Sequence, residues 1–66
     1  MTIWLNGEKR EVASAATIGE LVEELQLPAR ALLVEHNGLA LRREEWAAAR
    51  IADGDRVEAL RIVAGG

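Results

Sequence analysis

The residues with the clearest chemistry stand at the end of the chain, where Ala64, Gly65 and Gly66 follow a strand-like run. Glycine is about 7% of average composition, so two in succession at a terminus arise by chance in roughly 0.5% of chains. Lacking a Cβ, glycine can thread a slot too narrow for other residues and can take backbone angles closed to them. Extended at about 3.3 to 3.6 Å per residue, the last three residues reach roughly 10 Å past the last strand pair. That reach lets a terminal carboxylate enter another protein's active site while the body stays outside. Gly66 is the candidate reacting residue, with Gly65 and Ala64 as the threading segment. The alternative is a terminus without a role, since the ends of most domains are poorly ordered. A carboxylate is itself a poor electrophile, because resonance stabilises it and it carries no good leaving group. It reacts only after another molecule activates it.

Little else in the chain could do chemistry. Cysteine is absent, so no disulfide, thiolate metal site or catalytic thiol belongs to it, and any sulfur must be handled first by another protein. The only serine, Ser14, and the only histidine, His36, lie far apart, and nothing supports a nucleophile and base pair. His36, near a turn, reads as structural or superficial. Glu20, Glu23 and Glu24 read as the solvated face of a helix rather than a metal or acid-base site. Catalytic and metal residues are therefore expected to be none, and the chain to bind no cofactor.

With 66 residues the chain makes one domain, 1–66, with 64–66 as its exposed functional tail. A domain of this size buries only about 60% of its unfolded surface and cannot hold a deep internal active site. The net charge of −3 and the scatter of basic residues beyond Lys9-Arg10 and Arg42-Arg43 argue against nucleic acid as a partner. No apolar run approaches a bilayer's width, and Met1-Thr2-Ile3-Trp4 does not open a leader segment. A soluble, cytoplasmic protein without a membrane partner is expected.

The elements that must position the tail follow from spacing. Thr2 to Leu5 alternates, and Asn6-Gly7 supplies the positive φ of a tight hairpin turn, predicting a return strand at Lys9 to Val12. With Ile3 and Leu5 facing inward, Trp4 points to the opposite face. After a loop at Ser14 to Ala16, Thr17 and Glu20 have capping-box spacing, and Ile18, Leu21, Val22 and Leu25 recur at helical spacing until the helix closes before Pro28. Ala31 to His36 reads as a strand, Asn37-Gly38 as a second turn, and Leu39 to Leu41 as a short strand. A one-turn helix over Glu44 to Ala49 would set Trp46 against the core. Asp53-Gly54-Asp55 is a turn, and Arg56 to Val63 the final strand. One amphipathic helix after a hairpin must cover one face of a mixed sheet, so the class is α+β.

This order, together with Leu5-Asn6-Gly7-Glu8, Thr17-Ile18-Gly19-Glu20-Leu21, Glu44-Glu45-Trp46-Ala47, Ile51 to Glu58 and the terminal Gly65-Gly66, resembles the β-grasp, or ubiquitin-like, sulfur carriers of the ThiS family. The most specific combination is the acidic-glycine turn, a final strand and an immediate Gly-Gly end. Arg42-Arg43 stands where relatives commonly carry proline and arginine, and Ala64 where many have a third glycine. The resemblance implies a mixed sheet of four to five strands packed on one helix, with a flexible Gly-Gly tail.

The resemblance also implies that the chain is a co-substrate rather than an enzyme. An E1-like adenylyltransferase of the ThiF type would use ATP to adenylate the Gly66 carboxylate. Sulfur mobilised from cysteine by a desulfurase would convert it to a thiocarboxylate, and thiazole synthase of the ThiG type would receive that sulfur in thiamine biosynthesis. Independently, alternation along the last strand turns Val57 and Ala59 toward the helix and Glu58, Leu60 and Ile62 outward. Trp4 and Leu33 would join them if the strands pair as in the family, making an apolar partner surface beside the tail. Competing readings are a sulfur carrier for molybdopterin, tRNA thiolation or cysteine synthesis, a ubiquitin-like modifier joined to lysine through Gly66, and a noncovalent β-grasp binding module.

Overall fold

Two Asn-Gly dipeptides fix where the sheet reverses. In the computed structural model, which describes residues 1–62, Asn6 and Gly7 take φ of 50° and 81°, and Asn37 and Gly38 take 50° and 85°. These paired positive angles belong to the type I′ turn, whose twist matches that of its flanking strands. The first turn joins β1 (Thr2–Leu5) to β2 (Glu8–Glu11), and the second joins β3 (Leu32–His36) to β4 (Leu39–Leu41). Between the hairpins runs β5 (Arg56–Arg61), parallel to β1 and antiparallel to β3, in the order β2-β1-β5-β3-β4.

Three strand boundaries differ from expectation. The return strand is Glu8–Glu11 rather than Lys9 to Val12, because the two-residue turn sets Glu8 opposite Leu5. The third begins at Leu32, since Ala31 closes a 3₁₀ turn at Ala29–Ala31 after Pro28. Regular pairing of the last ends at Arg61, and its expected end, Val63, lies outside the described residues.

The helix α1 (Ile18–Glu24) starts at the expected cap, with Thr17 Oγ1 accepting from the Glu20 N–H at 3.1 Å, but the reciprocal half of the capping box is not made because the Glu20 carboxylate turns to Ala16. It buries Ile18, Leu21 and Val22 against the sheet. The acidic flank departs from the solvated face expected of it. Glu20 accepts the Ala16 N–H at 2.7 Å, and Glu24 accepts those of Ala13, Ser14 and Ala15 at 2.7, 3.0 and 2.9 Å. These two carboxylates hold the loop that brings the chain from β2 to α1, and of the three only Glu23 makes no such bond among the described residues.

The amides of Ala13, then Ser14 and Ala15, lower the pKa of Glu24 below the ordinary glutamate range. A depressed carboxylate pKa contributes stability above the unfolded value, and this is lost as pH falls through the folded value. Glu24→Gln is therefore expected to lower the thermal midpoint at neutral pH, with the gap to the wild type narrowing as pH falls through the folded value and the carboxylate is protonated. Melting curves from pH 7 to 3 check this, and a constant gap across that range would refute it.

Between β4 and β5 the expected one-turn helix at Glu44 to Ala49 is instead a 3₁₀ turn at Arg43–Glu45 with looser turns after it. The reason is that this segment bonds to α1. Gly19 N–H donates to the Trp46 carbonyl at 3.1 Å, and Ile18 N–H to the Ala49 carbonyl at 2.8 Å. The Arg42 N–H donates to the Glu45 carboxylate at 2.6 Å, a bond that a proline at that position could not make. Trp46 lies buried as expected, with the Arg43 guanidinium 5.1 Å from its ring centroid.

Candidate functional site

The period-two alternation of β5 sorts its side chains between the two faces of the sheet. Val57 and Ala59 lie on the side of α1, with Val57 buried and Ala59 partly so, while Glu58, Leu60 and Ile62 are exposed. Leu33 stands directly opposite Leu60 across β3 and β5, and Trp4 opposite Arg56 across β1 and β5. Trp4, Leu33, Leu60 and Ile62 are 43 to 59% exposed. The sheet face turned away from α1 thus brings together every partner-surface residue expected from the sequence, next to the strand that leads to the tail. A shallow groove beside it is lined by Trp4, Gly7, Arg56, Val57 and Glu58. Ala64, Gly65 and Gly66 lie outside the described residues.

How β5 is held was not visible in the sequence. β1 pairs with it only through Trp4 with Arg56 and Leu5 with Val57 before turning away. Asn6 then continues the ladder with its side chain, its Oδ1 accepting the Ala59 N–H at 2.8 Å and its Nδ2 donating to the Ala59 carbonyl at 3.1 Å. On the other side, Asn37 Oδ1 accepts the Arg56 N–H at 2.8 Å, and Asn37 N–H donates to the Arg56 carbonyl at 2.8 Å. Each asparagine that makes a hairpin turn therefore also clips the central strand.

The start of β5 is fixed by a side-chain hydrogen bond. His36 Nε2 lies 2.7 Å from Asp55 Oδ2, which also accepts the Ala52 N–H at 2.8 Å. Burial raises the Asp55 pKa, but the bonds from His36 and Ala52 outweigh it and leave the group below the usual aspartate range. His36 is thus tied to a turn, and Ser14 meets Glu24 through its backbone N–H. The two are engaged with separate carboxylates.

One helix packed across a five-stranded mixed sheet, with a parallel first and last strand at its centre, defines the β-grasp, ubiquitin-like class. The chain belongs to the ThiS family, whose model matches residues 3–66. It is 30% identical over 66 residues to the sulfur carrier protein ThiS of Escherichia coli (strain K12), covering all of both chains. It is also 30% identical to a thiazole synthase of Paramagnetospirillum magneticum, where it spans all of this chain but 20% of that protein. The crystal structure of a thiamine biosynthesis protein (ThiS) from Geobacter metallireducens superposes with a TM-score of 0.84 at 36% identity over the whole of both chains. A solution structure of a thiamine biosynthesis protein from that organism gives 0.78 at 36% identity, covering all of this chain and 88% of the other.

Proposed function

We propose that this chain is a sulfur carrier of thiamine biosynthesis and that its reacting group is the Gly66 carboxylate. The observation that carries the reading is the family match, which runs from residue 3 through the Gly-Gly terminus. An E1-like enzyme of the ThiF type transfers AMP from ATP to that carboxylate and releases pyrophosphate. The resulting mixed anhydride has a good leaving group, and the persulfide that a desulfurase draws from cysteine displaces AMP to give an acyl disulfide. A thiol then reduces that bond, releasing the thiocarboxylate and ending as a disulfide itself. Thiazole synthase is the acceptor, in keeping with the 30% identity to a segment of one such protein. The chain supplies the reacting terminus and the surface that delivers it, and the enzymes supply the catalysis.

The test is the intact mass of the protein after incubation with a ThiF-type enzyme, ATP and a sulfur source. The expected gain equals the difference between a sulfur and an oxygen atom, and no gain with a demonstrably active enzyme overturns the reading. Docking uses the apolar face. Leu60→Glu places a charge where an apolar contact is needed, and is expected to raise KM for the activating enzyme by about tenfold in a protein that still folds. Unaltered steady-state kinetics in the folded variant would remove Leu60 from the interface.

A further inference from the structure

Glu35 and Glu58 stand directly opposite each other on β3 and β5, both exposed on the face that carries Leu33 and Leu60. The bonds from Asn37 N–H to the Arg56 carbonyl and from Ile62 N–H to the Ala31 carbonyl set the phase of this ladder. In that phase Glu35 with Glu58 is a hydrogen-bonded pair, whose Cα atoms lie about 5.5 Å apart. Like charges so placed destabilise a sheet. Among the described residues no lysine or arginine lies within ion-pair distance of Glu35 or Glu58, so none relieves the repulsion. Arg56 shares the face two residues before Glu58 but makes no ion pair with either carboxylate.

A local arrangement that opposes the stability of its own fold is a place to look for function. Here it adjoins the exposed Leu33 and Leu60 pair, so the two carboxylates and the two leucines form one continuous surface across β3 and β5. We propose that the Glu35 and Glu58 pair receives a basic side chain, an arginine by preference, that projects from an apolar patch of the activating enzyme. A planar guanidinium offers donors in a fixed fork, can engage both carboxylates at once, and carries the charge that cancels their repulsion. The flanking apolar patch of the enzyme meets Leu33 and Leu60. This assignment rests on the carrier reading, and it adds the charge and shape of the partner's surface to it.

The prediction has opposite signs for stability and for binding. In Glu35→Gln/Glu58→Gln the repulsion is gone, so the thermal midpoint rises while Kd for a ThiF-type enzyme, titrated without ATP, weakens by about tenfold. The wild-type Kd weakens with added salt, and the double variant loses most of that dependence. A purely structural role would move stability and binding the same way. An unchanged Kd with an unchanged salt dependence overturns the proposal even if the wild type is adenylated normally. Tight wild-type binding without adenylation would instead overturn the carrier reading, leaving the docking assignment to be judged by the two Kd values. No binding by the wild type overturns both.

Discussion

A chain lacking Gly66 is expected to gain no sulfur. Removing one residue withdraws the terminal carboxylate by about 3.3 to 3.6 Å in an extended segment. Enzymic group transfer depends on reacting atoms held in near-attack geometry, and a misplacement of about 1 Å can cost a hundredfold in rate. The loss of adenylation should therefore exceed a thousandfold, which puts it below detection in a mass measurement that saturates for the wild type. The outer sheet face is untouched, so the truncated chain should bind the activating enzyme with Kd within about twofold of the wild type and compete with it. A truncated chain that acquires sulfur at the wild-type rate would falsify the assignment of Gly66 as the carrier residue.

The second large effect is on the fold. Trp46→Ala removes a side chain that is only 4% exposed, in the segment whose backbone is bonded to the start of α1. Truncating a buried tryptophan costs about 3 to 5 kcal/mol. At about 0.05 to 0.15 kcal/mol per residue, a domain of this length has a total stability of roughly 3 to 10 kcal/mol. The variant should lose at least about a third of that stability, and all of it at the lower bound, as circular dichroism during urea titration would show. Trp46→Phe should be much milder, because it keeps most of the apolar volume and deletes an indole N–H that has no protein acceptor among the described residues. Equal losses for the two variants would mean that the volume at this position is not what supports the fold.

What could be read from the sequence was local. The Asn-Gly turns, the Thr17 cap and the alternation that turns Leu60 and Val57 to opposite faces each depend on neighbouring residues, and each stands in the structure. What escaped depends on which distant segments meet. Glu20 and Glu24 look like a solvated face because nothing in their spacing says that the loop at Ala13 to Ala16 turns its amides toward them. The second use of Asn6, on Ala59, crosses 53 positions of sequence. The Arg43–Glu45 turn replaced a helix for the same reason, since bonds to α1 outcompeted bonds within the segment. The outward side of β5 was legible from period-two alternation alone, whereas its meeting with Trp4 and Leu33 rested on the pairing implied by the resemblance, and the facing of Glu35 and Glu58 needed the actual register of β3 on β5.

The clipping of β5 from both sides has a consequence for biosynthesis. β5 is the last of the five strands to leave the ribosome, yet it occupies the middle of the sheet, and the two hairpins share no ladder without it. A nascent chain that stops short of β5 holds two separate hairpins, each marginal in water by itself. It also lacks Leu60 and the partners of Asn6 and Asn37. The arrival of β5 therefore completes the sheet and its exposed apolar face in the same event. On the proposed reading, a chain that stops short of β5 would present neither a finished sheet nor a complete surface to an activating enzyme.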